Sequence, residues 1–160
     1  MAKIHINIGS NIGDRAALIE RAVATLSERL DTKAKAEIWL APIIESKAWG
    51  FDSPHRFLNL GIMIVTDCHI DPETMLYQLL AIEHEISKMP HRQADGSYVD
   101  RLIDIDLIAI DDLVVDNVQL QLPHPRMHIR RFVLEPIAAL DPEWRHPIYG
   151  LTAHEMLDSE

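Results

Sequence analysis

The hydrophobic period of residues 3–110 changes in a set order, and that order constrains the fold more than any other feature of the chain. Lys3 to Ile8 alternates, with Ile4, Ile6 and Ile8 on one face and His5 and Asn7 on the other, as a strand does. The turn Gly9-Ser10-Asn11-Ile12-Gly13 follows. Ala17, Leu18, Val23, Leu26 and Leu30 then recur at helical spacing behind a cap at Asp14 or Asn11. Residues 34–44 are apolar and partly β-branched, and Pro42 confines them to a sheet edge or an irregular end, because proline cannot donate to a ladder. Ser46 to Arg56 holds Gly50 and Pro54 and is expected to be a loop, with Phe57–Thr66 the second strand of this pair. Asp71-Pro72-Glu73 opens another helix with a cap, a proline at the first position and an acidic first turn. Its apolar side carries Met75, Leu76, Leu79, Leu80, Ile82 and Ile86, and it should stop before Pro90.

Residues 89–100 are polar and aperiodic, and Leu102–Ile110 reads as a further strand. The order β-α-β-β-α-β predicts an α+β fold with a ferredoxin-like core, a mostly antiparallel sheet with flanking helices on one face. The last third adds Asp- and Asn-rich turns, the Pro123-His124-Pro125 segment, an apolar stretch near 132–140 and a short terminal helix. No linker, repeat or low-complexity tract interrupts the chain. One domain over residues 1–160 is expected, since two independent cores of this size would each be marginal.

Fifteen Lys and Arg stand against 25 Asp and Glu, a net charge of −10, which argues against general nucleic-acid binding. A small anionic ligand is not excluded, because it feels only the field of its own pocket. The single cysteine, Cys68, cannot form an internal disulfide and suits a reducing compartment. No run approaches the roughly 20 apolar residues that span a bilayer. A cytoplasmic location is the expectation.

The strongest local signal is Arg101-Leu102-Ile103-Asp104-Ile105-Asp106-Leu107-Ile108. On a strand, Ile103, Ile105 and Leu107 face one way while Asp104 and Asp106 face the other, roughly 7 Å apart at about 3.3 Å per residue. Two such carboxylates repel, and a hard cation with substrate phosphates relieves that cost. A solvent-facing strand edge would carry the same pattern. Ile108 and Ile110, continuing on the acids' face, instead place the pair at the end of a buried strand, where unpaired charges are costly. Arg101 precedes the acids, Arg126, Arg130 and Arg131 follow, and Lys88 and Arg92 flank the polar loop. Acids that hold metal, together with several cations, are what a polyphosphate requires; any one of these arginines alone reads equally as a surface residue or a structural salt bridge. His124, held between two prolines, either donates to a phosphate oxygen or is a structural turn residue. Phe57 beside Asn59 on one strand face suits a flat heterocycle, and equally suits core packing with one satisfied polar group. The 9–13 turn has neither the P-loop ending nor the dinucleotide fingerprint.

Five segments, in shared order and spacing, resemble the 6-hydroxymethyl-7,8-dihydropterin pyrophosphokinases of folate biosynthesis. They are Ile8-Gly9-Ser10-Asn11-Ile12-Gly13, Phe57-Leu58-Asn59, Arg101-Leu102-Ile103-Asp104-Ile105-Asp106, Leu122-Pro123-His124-Pro125-Arg126 and Arg131-Phe132-Val133-Leu134-Glu135-Pro136. The resemblance implies a ferredoxin-like core and transfer of pyrophosphate from ATP to the pterin hydroxymethyl group, leaving AMP. It implies two magnesium ions on Asp104 and Asp106. The pterin is expected among Asn59, Phe57, Phe132, Ser46, Trp49 and Tyr98, and ATP against Arg101, His124, Arg130 and Leu107. The catalytic cations are expected to be Arg101, Lys88 and Arg92. The partners expected are small molecules only, with neither nucleic acid nor membrane, and a monomer is the expected state.

The family usually reads Gly-Pro-Arg where this chain has Val99-Asp100-Arg101, and Gly-Pro-Gln where it has Gly50-Phe51-Asp52. A family arginine after the second helix is Lys88 here if Glu83 is the matching acid, and lysine keeps the charge without the bidentate fork. These departures motivate an alternative, a non-catalytic pterin- or nucleotide-binding homologue with altered loop chemistry.

Overall fold

The alternation at the start of the chain becomes β1 (Ala2–Ser10), the centre of a sheet in which every pairing is antiparallel. β1 pairs on one side with β4 (Phe57–Thr66) and on the other with β5 (Asp104–Ile110). β2 (Ala36–Leu40) and β3 (Ile44–Ser46) both pair with β4, at opposite ends of it, with Pro42 in the break between them. The path β2-β4-β1-β5 is the strand order of a ferredoxin-like sheet. The computed structural model describes residues 1–30, 35–48, 51–87 and 100–159.

α1 (Arg15–Leu30) starts at Asp14, whose Oδ1 accepts from the Ala17 amide at 3.2 Å, and buries Ile19, Ala22 and Leu26. Asn11, the other expected cap, is engaged elsewhere. α2 (Pro72–Ile86) begins at Asp71, whose Oδ2 accepts from the Thr74 amide at 3.0 Å and from its hydroxyl at 2.7 Å. It buries Met75, Leu79 and Ile82, while Leu80 lies off this stripe and is exposed. Both helices cover one face of the sheet, packing on Ile4, Ile6 and Ile8 of β1 and Leu60, Ile62 and Ile64 of β4.

The other face is also covered, which extends the one-sided arrangement expected from the periodicity. α3 (Arg131–Leu140) and α4 (Ala153–Asp158) enclose a second core of Ile108, Ala109, Met127, Val133, Leu134, Ile137, Trp144 and Met156. Gly61 permits the close seat of α3 on β4, since a Cβ there would lie 2.0 Å from Pro136 Cβ. A two-stranded ribbon, β6 (Val115–Asp116) with β7 (Gln121–Leu122), leads into the Pro123–Pro125 segment.

Two boundaries and one facing differ from the sequence reading. Ser46 ends β3 instead of opening a loop, and β5 begins at Asp104 instead of Leu102. The register of β1 on β5 slips between His5 and Ile6, so that Ile108 has no opposite residue. This bulge reverses the facing beyond it. Ile108 stays on the acids' face, but Ile110 turns to the α1–α2 side and joins that core.

Candidate active site

The sheet register builds the site. Gly9 pairs with Asn59 on one side and Asp104 on the other, and Ile44 extends the row beyond Asn59. One step along, Asn7 pairs with Gly61 and with Asp106. An amide and a carboxylate therefore flank a position with no side chain. A Cβ on Gly9 would meet Asn59 Oδ1 and Phe57 Cδ1, both at 3.4 Å, so the position lies directly between the amide and the ring.

Asn59 is buried, and its Nδ2 donates to Ser46 Oγ at 2.7 Å and to the Ile44 carbonyl at 3.2 Å. Both donor hydrogens of its amide are thus committed to β3. Phe57 shares its strand face, and Phe132 enters from the first turn of α3.

Each acid stands beside a buried arginine, and each arginine lies near one of these rings. Arg101 Nη1 is 3.0 Å from Asp104 Oδ2, with the guanidinium carbon 5.6 Å from the Phe57 centroid. Arg130 Nη1 is 3.9 Å from Asp106 Oδ2, with its guanidinium carbon 5.8 Å from the Phe132 centroid. Both arginines are only 8% exposed, too enclosed to serve as ordinary surface charges. Burying two guanidinium ions is costly unless anions surround them.

Asp106 remains electrostatically strained despite its partner. Loss of hydration pushes the Asp106 carboxyl up to about 8, and Asp104 pushes it the same way against the pull of Arg130 and Arg101. Glu83 adds to that push from α2, where its Oε2 accepts the Ile105 amide at 2.8 Å. Oxygen donors crowded in this way suit a hard divalent cation. Among the described residues no group of three or more Asp, Glu, His or Cys is placed to hold a metal ion together. A donor set of two carboxylates fits magnesium, which is commonly held by one or two carboxylates and completes its shell with water and substrate phosphates.

His124 packs against the same end of the sheet, its amide donating to the Ile108 carbonyl at 2.7 Å. Its Nδ1 lies 3.1 Å from the Arg126 amide and accepts from it, which leaves the ring proton on Nε2. Burial, then Arg130 and Arg126, push this imidazole down to about 4. At neutral pH it is an uncharged Nε2–H donor.

The structure thus brings together Asn59, Ser46, Phe57, Phe132, Arg101, Arg130, His124, Asp104 and Asp106. Leu107 turns its side chain away from the acids into the α1–α2 core, so any contact it makes with a nucleotide is through its backbone. Trp49, Lys88, Arg92 and Tyr98 lie outside the described residues.

Two further positions were not assigned to the site from sequence. Asn7 Nδ2 donates to the Phe132 carbonyl at 3.0 Å and so fixes the first turn of α3. Asn11 ties the end of β1 to the residues before β5: its Oδ1 accepts from the Arg101 amide at 2.7 Å, while its own amide donates to the Arg101 carbonyl at 3.2 Å. The available signal for Asn7 was its place opposite the isoleucines of β1.

Comparison with known proteins agrees first on a class. A curated relative from Porphyromonas gingivalis, 36% identical over 148 residues, covers 92% of this chain and 95% of its own; one from Aquifex aeolicus, 32% identical over 149, covers 93% and 86%. Both are named 2-amino-4-hydroxy-6-hydroxymethyldihydropteridine pyrophosphokinase, and the chain is accordingly a transferase of the pyrophosphokinase class. Residues 5–142 match the model of the 7,8-dihydro-6-hydroxymethylpterin-pyrophosphokinase (HPPK) family, and the chain belongs to that family, whose place is in folate biosynthesis. In fold it matches a crystal structure of an HPPK-DHPS in complex with substrates, with a TM-score of 0.71 over 99% of this chain at 13% identity. The chain spans 43% of that longer protein. Among the described residues no helix is long and apolar enough to cross a membrane.

Proposed function

We propose that the chain transfers pyrophosphate from ATP to the hydroxymethyl group of 6-hydroxymethyl-7,8-dihydropterin, giving AMP and the pterin diphosphate. The observation that carries this reading is the row Asn59–Gly9–Asp104, which sets a ring-reading amide and a phosphate-side acid on either side of a position with no side chain. The pterin lies over Gly9. Its edge faces the Asn59 amide, oriented by Ser46, and its ring lies against Phe57 and Phe132. A pterin edge carries both donors and acceptors, and the Asn59 oxygen remains available to accept from it.

Asp104 and Asp106 hold magnesium, two ions in this proposal, which when bound neutralises charge on the phosphoryl oxygens. Arg101 and Arg130 turn from the acids toward the phosphates as these arrive, since a guanidinium binds phosphate oxygens as readily as carboxylate. His124 donates Nε2–H to a phosphate oxygen. The attacking hydroxyl needs little help from a base, because positioning and charge neutralisation dominate phosphoryl transfer. The family resemblance assigns Lys88 and Arg92 to phosphate and Trp49 and Tyr98 to the pterin, and the proposal adopts those roles.

The test is direct. Purified protein with ATP, magnesium and the pterin alcohol should yield AMP in step with pterin consumed. ADP as the nucleotide product, or AMP formed without pterin, would overturn the reading.

A further inference from the structure

Three segments that lie outside the strands are joined by one polar knot beside the site. Asp100 Oδ1 accepts from Ser53 Oγ at 2.6 Å and from Asn11 Nδ2 at 2.7 Å. Asn11 Nδ2 also donates to the His55 carbonyl at 3.2 Å, and the His55 amide donates to Ser53 Oγ at 3.1 Å. His55 Nε2 stands 3.8 Å from Asp100 Oδ2. Asn11 is 2% exposed and commits its remaining oxygen to the Arg101 amide. The knot therefore fastens the loop that leads into Phe57 to the residues that lead into Arg101 and Asp104.

We propose that Asp100 is a positioning residue for the reaction: through Ser53 and Asn11 it holds the pterin half-site and the phosphate half-site at one fixed separation. The two half-sites sit on different strands, and the sheet fixes Asn59 relative to Asp104. Arg101 precedes β5, however, and Phe57 is the first residue of β4. Phe57 pairs with Ser46 of β3 and Arg101 meets the end of β1 through Asn11, and the side-chain knot ties these two ends to each other. A single carboxylate oxygen suffices because it can accept from two donors at once. An asparagine oxygen at the same position can do so too. The departure from the family's usual proline at position 100 is then a working part of this chain's site.

Asp100 has this role only if the half-sites are those assigned above, and steady-state kinetics of Asp100→Ala and Asp100→Asn separate the two claims. Removing the acceptor takes one hydrogen bond from Asn11 Nδ2 and one from Ser53 Oγ, and so loosens the join between the 53–55 loop and the residue before Arg101. Asp100→Ala should lower kcat about tenfold, with smaller changes in both KM values, because each half-site still binds while their spacing is lost. Its melting temperature should stay near that of the parent. Asp100→Asn, which keeps the acceptor oxygen, should retain most of kcat. Should Asp100→Ala fail to fold, Ser53→Ala removes one arm of the knot and should show a smaller loss of the same kind. A parent-like kcat in Asp100→Ala, or an equal loss in Asp100→Asn, would overturn the positioning role while leaving the function intact. Absence of pterin-dependent AMP from the parent chain would overturn the function itself, and the positioning role with it.

Discussion

Asn7 supplies the hydrogen bond that Pro136 withholds from Phe132. The carbonyl of Phe132 would ordinarily accept from the amide four residues on, but that residue is proline and has none. The Asn7 side chain on β1 donates to it instead, at 3.0 Å. The sheet thereby holds in place the turn of α3 that presents an aromatic ring to the site.

Asn7→Ala should expose the cost of this substitution of partners. A buried carbonyl left unsatisfied costs about 1–3 kcal/mol. The loss should appear in denaturant unfolding, together with a raised KM for the pterin and a smaller change in the KM for ATP. Unchanged stability would show that Phe132 finds another donor.

Two glycines in neighbouring rows should respond to alanine in opposite ways. At Gly61 the new Cβ would lie 2.0 Å from Pro136 Cβ, too close for a flexible adjustment, and overpacking of this kind costs about 1–3 kcal/mol. Thermal melting should reveal it, and Pro136→Ala should give no rescue because the offending atom remains. At Gly9 the same methyl meets its neighbours at 3.4 Å, which packing tolerates. Gly9→Ala should melt like the parent while its pterin KM rises, since the methyl stands where the pterin lies.

Asp104→Asn and Asp106→Asn should each lower kcat about 100-fold or more, as loss of charge stabilisation at a transferring phosphoryl group does. Titration of activity with magnesium should show a higher requirement in both. Near-parental rates in either variant would remove that acid from the metal site.

His124 makes stability depend on pH in a definite direction. Its imidazole is pushed down to about 4 in the folded chain, against about 6.5 when unfolded. Between those values the unfolded chain binds more protons, so stability is full above about 6.5 and falls as pH drops toward 4. His124→Gln should flatten that part of a melting-temperature profile. An identical slope in parent and variant would show that the imidazole titrates freely in the fold.

The strands and first two helices were legible because their signals are local. Phe57–Thr66 follows from its β-branched run, and Asp71-Pro72 announces α2 through its cap chemistry. Asp104 and Asp106 were legible as a pair because period two puts alternate residues on one face. The facing of Ile110 was not, because a bulge at Ile108 is decided by pairing with a strand about a hundred residues earlier. Asn7, Asn11 and Asp100 were hidden for a related reason: a polar residue announces its type, while its partner is chosen by the fold. The second helical layer was foreshadowed by the apolar stretch near 132–140, but which face it covers is shown only by contacts of the fold such as Gly61–Pro136 and Asn7–Phe132.

The most direct test of the account is a crystal structure of the chain with 6-hydroxymethyl-7,8-dihydropterin, magnesium and a non-hydrolysable ATP analogue. The pterin ring should lie over Gly9 with its edge on Asn59, and the phosphates should lie against Asp104, Asp106, Arg101 and Arg130. A pterin seated away from Gly9, or phosphates bound without these two acids, would contradict it.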